Sequence, residues 1–257
     1  VINEFMADPT PSQGLPAFEY VELLNRSNRV FSLEGWQYGD EGSVASLPDT
    51  NLAPGEYLLL VRDEAFSAYK DSSLTVALSP WPTLNNGGDA LFLRAPNDQT
   101  IDTLRYSETW YQSPAKADGG WALEQINPAH PCSGPDNWRG STDTSGGTPG
   151  RQNAVFDPAP DTTAPTVSDL EIRDSTTLLV TFSERVEAGS LDIANWQLQP
   201  SIVLATIQQP ARALVRQATI RLQQPLQNQT TYQLSYQGLK DCWGNRQTQP
   251  DSTALTY

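Results

Sequence analysis

The sequence predicts an all-β protein of two tandem β-sandwich domains, and three observations carry that reading. Apolar residues come in short runs, several of them alternating with polar ones, and turn formers separate the runs. With 38% hydrophobic residues, 20 prolines and 17 glycines in 257 residues, many short elements suit the composition better than long helices. The stretch Asp157-Pro-Ala-Pro-Asp-Thr-Thr-Ala-Pro165 places three prolines in nine residues, which favours an extended, semi-rigid spacer. The expected division is a first domain at 1–156, a linker at 157–165 and a second domain at 166–257.

Taken in order, residues 1–8 read as an opening strand that stops at Asp8-Pro9. Residues 19–38 read as strand, polar turn, strand, a central hairpin. Val21 and Leu23 face one way while Tyr20, Glu22 and Leu24 face the other, because side chains alternate along a strand. Asn25 to Asn28 supply the turn, and Val30, Leu33 and Trp36 resume the apolar signal. Residues 40–46 form an acidic loop. The continuous run at 57–61 fits a strand covered on both faces. Residues 63–70 are the best helix candidate, with acids in the first turn and Phe66 and Tyr69 three apart. A turn at 85–88 leads into a hairpin of 90–94 and 101–106, and 121–126 reads as the last strand of the domain. A long loop with little apolar content follows at 127–150. In the second half, strands are expected at 178–182, 202–207, 218–222 and 231–236, with a small helical turn at 190–195.

Several of these segments together resemble a known family. Ile2-Asn-Glu-Phe-Met-Ala-Asp-Pro9, the aromatic-Val-x-Leu-x-Asn strand at Tyr20–Asn25 with Gly35-Trp36 closing the following turn, Leu52-Ala-Pro-Gly-Glu-Tyr57 and Gly146-Gly-Thr-Pro-Gly-Arg-Gln-Asn153 occur in the order seen in bacterial lamin tail domains. The resemblance covers about the first 155 residues and implies a compact immunoglobulin-like sandwich of the kind found in nuclear lamins and in many bacterial secreted or membrane-associated proteins. Over roughly 164–257, Phe182-Ser-Glu184, the helical turn at 190–195 and Gly238-Leu-Lys-Asp-Cys-Trp-Gly-Asn245 resemble bacterial Ig-like modules of surface proteins. Tyr232 stands where such sandwiches often place a corner tyrosine.

Charge narrows the partners. Residues 1–157 hold 9 basic and 21 acidic side chains, net −12, and residues 158–257 hold 7 and 9, net −2. An acidic first domain repels phosphate backbones, so the nucleic-acid contacts of some lamin tails are not carried over. No apolar run approaches the length of a membrane-spanning helix, and no signal peptide is present. A chain that starts at Val1 inside a strand-like segment reads as a mature product or part of a longer protein.

Candidates for chemistry are few. His130 is the single histidine and sits between prolines, with no nucleophile motif beside it; it reads as a surface-loop residue. One histidine and two cysteines cannot complete a structural zinc site. Cys132 and Cys242 either form an interdomain disulfide or stay as two buried thiols. A bridge closing about 110 residues would contribute on the order of 4–5 kcal/mol in the chain-entropy model. Asp136, Asn137 and Asp143, or Asp40 with Glu41, could offer oxygens to calcium, but their spacing follows no calcium-loop motif and solvated loops are the simpler reading. Glu4, Glu19 and Glu22 do not suggest a glycosidase pair, since a small sandwich offers no deep cleft; Glu22 reads as a strand residue with a hydrogen-bonding partner. Trp36, Trp121 and Trp196 read as core, whereas Trp81, Trp110 and Tyr111 are the candidates for stacking on a sugar or meeting a protein. Gly146–Gly150 is a turn series, since no lysine or helix follows it.

These readings lead to a non-catalytic module of a secreted or cell-surface bacterial protein, without cofactor or metal. It would space neighbouring domains of a longer chain or bind an unidentified protein or glycan. A carbohydrate-binding module is the first alternative. The second is a set of accessory domains for a secreted hydrolase whose catalytic part lies outside this chain.

Overall fold

The computed structural model describes residues 1–71, 73–130, 134–210 and 214–257. It divides into two compact units, Val1–Ala159 and Pro160–Tyr257, in both of which strands are the main regular element.

The first unit contains β1 (Ile2–Met6), β2 (Tyr20–Leu24), β3 (Phe31–Ser32), β4 (Gln37–Gly39), β5 (Val44–Ser46) and β6 (Asn51–Leu52). It continues with β7 (Tyr57–Arg62), helix α1 (Asp63–Tyr69), β8 (Thr75–Leu78), β9 (Ala90–Arg94) and β10 (Thr100–Arg105). A short helix α2 (Pro114–Ala117), β11 (Leu123–Gln125) and β12 (Trp138–Gly140) complete it. Six strands make one sheet in the order β12-β11-β1-β2-β7-β8, and four make a second in the order β10-β9-β4-β5. Ile2, Phe5, Val21, Leu23, Leu58, Leu60 and Leu123 from the first sheet meet Tyr38, Ala45, Leu91, Leu93 and Leu104 from the second. At roughly 1.5–3 kcal/mol for each large apolar side chain buried, this interlayer core supplies most of the drive to close the sandwich.

The alternation expected in β2 and the covering of both faces expected of β7 are observed. Val21 and Leu23, with Leu58 and Leu60, enter the interlayer core, while Tyr20, Leu59 and Val61 face the other way. That outer face is buried too. α1 carries the chain between the parallel strands β7 and β8, a connection that cannot be made by a tight turn. It lays Ala65 and Tyr69 on Met6, Tyr20, Leu59, Val61 and Ala122.

Two expectations need correction. Residues 19–38 do not form a hairpin: β2 pairs with β1 and β7, β3 pairs with β6, and β4 pairs with β5 and β9. The polar turn instead carries the chain between sheets. Asn25 Nδ2 donates to the carbonyls of Arg29 (2.7 Å) and Leu52 (2.8 Å), and Asn25 Oδ1 accepts from the Ser27 N–H (3.0 Å). The stretch 127–150 is also more than a loop, because it supplies β12 at the sheet edge. Trp138 on β12 is fully buried against Phe5, with ring centroids 5.4 Å apart.

The second unit contains β13 (Val167–Asp174), β14 (Thr177–Glu187), β15 (Trp196–Gln199), β16 (Leu204–Gln208), β17 (Leu214–Leu222), β18 (Thr231–Tyr236) and β19 (Asp251–Thr256). Its sheets run β13-β14-β17-β16 and β15-β18-β19. Leu178, Val180 and Phe182 alternate inward from β14 onto Trp196, Leu234 and Tyr236, and the Trp196 and Tyr236 rings stack at 5.2 Å. The hydroxyl of Tyr232 accepts from the backbone N–H of Gln227 at 2.9 Å, the upstream tie expected of a corner tyrosine.

Trp138→Ala is expected to lower the stability of the first unit by about 3–5 kcal/mol, the range for emptying a large aromatic site in a core. Denaturant unfolding measures it; a loss below about 1 kcal/mol would mean that β12 is not part of the folded core.

Candidate functional site

The most unusual chemistry in the molecule is a row of three glutamates. β11, β1 and β2 pair so that Glu124 stands opposite Glu4 and Glu4 opposite Glu22. All three are fully buried. Since side chains alternate, they lie on the sheet face turned away from the interlayer core, and residues 146–155 run over them.

That covering segment has no strand partner, so its backbone N–H groups need other acceptors. The carboxylates supply them. The Thr148 N–H donates to Glu4 Oε1 at 2.8 Å, the Gly150 N–H to Glu22 Oε2 at 2.5 Å, and the Val155 N–H to Glu124 Oε2 at 3.0 Å. The Thr148 hydroxyl lies 2.8 Å from Glu4 Oε2 and 2.9 Å from Glu124 Oε1. The Tyr20 hydroxyl donates to Glu4 Oε1, and Asn3 Nδ2 donates to Glu22 Oε1 at 2.9 Å. Asn153 Nδ2 donates to the carbonyls of Asn3 (3.0 Å) and Gln125 (2.8 Å), tying the far end of the segment to the same strands.

The glycines of the segment follow from this contact. Gly146 holds φ at +97°, a conformation that favours glycine, and a Cβ there would strike the Gly120 carbonyl. A Cβ on Gly147 would press on the Tyr20 hydroxyl and the Glu4 carboxylate.

Burial pushes the Glu4 carboxyl up from its ordinary value of 4.5 to about 7, and the charge of Glu124 adds to the rise. Glu22 is raised in the same direction, first by burial and then by Glu4. The Tyr20 phenol is pushed up by burial and by Glu4. With every carboxylate sealed under the segment, the row has no face open to a substrate, and its chemistry is to accept hydrogen bonds and hold charge inside the fold.

The residues singled out from sequence are distributed differently. Trp110 and Tyr111 lie on a 3-10 helix, Glu108–Tyr111, and both are buried in the interlayer core. Trp81 is half-buried against that core, and its Nε1 donates to Glu19 Oε2 at 2.6 Å. Glu19 also pairs with Arg62 at 3.4 Å and stands apart from the glutamate row. Trp36 and Trp121 are half-buried and Trp196 is buried. His130 is half-buried, and its backbone N–H donates to the Asn127 carbonyl at 2.9 Å. Cys132 lies outside the described residues, and with it the expected pairing to Cys242.

The acidic loops considered for calcium are engaged in local bonds. Asp40 Oδ1 accepts from the Gly42 and Ser43 N–H groups, and Glu41 pairs with Arg105. Asn137 exchanges side-chain bonds with the Asn127 backbone at 2.8 and 2.9 Å. Asp143 pairs with Arg151 at 2.6 Å, and bonds to Ser145 and Arg151 hold its carboxyl well below the usual range.

Sequence reasoning missed one acidic group. In the second unit Asp161, Glu184 and Asp241 bring one oxygen each to within 4.8 Å of one another, a spacing a hard cation could use. Both oxygens of the buried Asp241 already accept from Asn245, its N–H and its Nδ2, each at 2.8 Å. Asn245 Nδ2 also donates to the Asp161 carbonyl at 3.0 Å, tying the start of the unit to the turn after β18.

A half-open apolar groove in the first unit is lined by Leu24, Phe31, Trp36, Leu52 and Ile101 among others, with the Phe31 and Trp36 rings edge-on at 5.8 Å.

Comparison with known proteins agrees with the two units. The Lamin Tail Domain family matches residues 1–108, and the Bacterial Ig-like domain family matches residues 158–257. No curated protein matches the chain. Among solved structures, the N-terminal part of the bacterial S-layer protein SbsC is similar at 23% identity and a TM-score of 0.32, covering 37% of this chain and 24% of that one. SbsC domains 1–6 are similar at 24% identity and a TM-score of 0.33, covering 37% of this chain and 14% of that one.

Thr148→Val keeps the shape of the side chain and removes the hydroxyl between Glu4 and Glu124. It is expected to lower the stability of the first unit by about 1–3 kcal/mol, the penalty for leaving buried polar groups unpaired. Thr142→Val, at an exposed position of the same loop where the hydroxyl makes one solvent-exposed bond of 3.3 Å to the Ala154 carbonyl, is expected to stay within about 0.5 kcal/mol of the parent. Equal urea midpoints for the two variants would contradict this account of the row.

Proposed function

We propose that this chain, a lamin tail domain followed by a bacterial Ig-like domain, is a non-catalytic structural and interaction module of a secreted or cell-surface bacterial protein. It spaces neighbouring domains of a longer chain and offers its loops to an adhesion-type protein partner. The observation that carries this reading is the tandem itself: two separately cored sandwiches, the second of a bacterial Ig-like family, in a chain whose prolines cluster at 157–165. Such sandwiches present loops from rigid scaffolds, which suits recognition and spacing. Three further features support it. The buried carboxylates are consumed by the fold, the net −12 of residues 1–157 opposes nucleic-acid binding, and no helix among the described residues is long and apolar enough to cross a membrane.

Antibody raised against the chain is expected to label intact cells of the native host as strongly as permeabilised ones. Labelling that requires permeabilisation would overturn the surface assignment.

A Cys132–Cys242 disulfide belongs to the same proposal, because an oxidising compartment favours it. Thiol titration of the denatured chain is expected to find no free thiol; two free thiols would remove the bridge.

A further inference from the structure

We propose that the Glu4–Thr148–Glu124 bridge stores one proton in the folded first unit, and that its loss as pH rises unlatches segment 146–155. The argument begins with a count of hydrogens. The Thr148 hydroxyl is within hydrogen-bond distance of Glu4 Oε2 (2.8 Å) and Glu124 Oε1 (2.9 Å), yet it has a single hydrogen to give. If both carboxyls were ionised, one of these contacts would set two oxygen lone pairs against each other. A proton on one carboxyl resolves this: that acid donates to Thr148 Oγ1, and the hydroxyl donates onward to the other carboxylate. The proton displaces no described bond. The Thr148 N–H and Tyr20 hydroxyl use the other oxygen of Glu4, and the Val155 N–H uses the other oxygen of Glu124.

The charged and titratable surroundings favour keeping it. β2 adds Glu22 and the Tyr20 phenol, and Tyr57 of β7 and Tyr69 of α1 lie near Glu4. The nearby cations are Arg151 of the segment, Lys116 of α2 and Arg139 of β12, which stands opposite Glu124 and donates from Nε to Gln112 Oε1 at 3.3 Å. Arg151 is paired with Asp143 at 2.6 Å, and Lys116 donates to the carbonyls of Gly140 and Ser141. Among the described residues none of the three makes an ion pair with the row. The shift of Glu4 to about 7 through burial and the Glu124 charge agrees with a stored proton. A carboxyl raised on folding binds its proton more tightly in the folded state. Its contribution is fully present below the ordinary 4.5 and is lost as pH rises through about 7. Deprotonation then leaves adjacent buried anions, which are relieved by admitting water under residues 146–155.

Glu4→Gln imitates the protonated state, because its amide can donate to Thr148 Oγ1 while its oxygen still accepts from Thr148 and Tyr20. Hydrogen exchange on the full chain, corrected for intrinsic rates, is read between about pH 6 and 8. Peptides from 146–155 are expected to lose protection by up to about tenfold per pH unit in the parent, while β17 and β18 of the second unit stay constant. In Glu4→Gln the loss should vanish. Constant protection of 146–155 in the parent, or the same loss in the variant, would overturn the proposal. Should Glu4→Gln not fold, infrared spectra of the parent decide: a carboxylic-acid band that persists at about pH 6 and titrates near pH 7 is expected. Its absence at about pH 6 would also overturn the proposal.

Discussion

Strand pairing sets Glu124, Glu4 and Glu22 side by side on the outer face of the larger sheet, and much of the first domain is arranged to satisfy them. Three carboxylates offer many acceptor positions in a small space. The segment laid over them is rich in the opposite need, since it folds back on the sheet without joining it. Acceptors with no ladder to serve meet donors with no ladder to join. Apolar residues of similar size would bury as well, but the N–H groups of Thr148, Gly150 and Val155 would lose their acceptors, at about 1–3 kcal/mol each. The cost of desolvating charge explains why the arrangement is confined to one row, and why burial raises the carboxyls.

The row also explains how a sheet buried on both faces is covered economically. α1 covers one part of the outer face through Ala65 and Tyr69, which pack on apolar neighbours. The closing segment covers the polar part through hydrogen bonds. Tyr20 belongs to both: its ring packs on Tyr69 with centroids 5.7 Å apart, and its hydroxyl reaches Glu4. The second domain uses no such device among its described residues. Its aromatic core of Phe182, Trp196 and Tyr236 closes between two sheets, and polar ties such as Asn245 to Asp241 serve its turns.

The alternation in residues 20–24 and the doubly covered run at 57–61 were legible because each depends on local periodicity. So was the helix at 63–69, which carries its own amphipathic pattern. The hairpin reading of residues 19–38 failed because periodicity names strands and not their partners. Asn25, tied to residues 29 and 52, decides that the chain changes sheets. Trp138 was overlooked for a related reason: a three-residue edge strand between polar loops is too short to alternate visibly. Glu22 was legible as a bonded strand residue, but the row was not, since Glu4, Glu124 and Thr148 are separated by up to 144 positions. Trp110 and Tyr111 looked available because their flanks are polar; burial there is set by residues distant in sequence.

The segments singled out in the sequence for the family resemblance, the last of them beyond the matched residues 1–108, turn out to meet one another. Glu4 comes from the opening Ile2–Pro9 stretch, Glu22 from the strand after it, and Thr148, Gly150 and Asn153 from the closing Gly146–Asn153 stretch. In the second domain, Asp241 and Asn245 of the Gly238–Asn245 stretch are likewise spent on closing a turn. Residues occupied in this way specify the fold and carry little information about partners, which are read by the loops between them. Matching a family model at such positions therefore reports on the fold and says little about what the chain binds. Side chains that the fold leaves exposed lie between these stretches, as Phe31 and Ile101 do at the half-open groove, whose lining also takes in the signature residue Trp36.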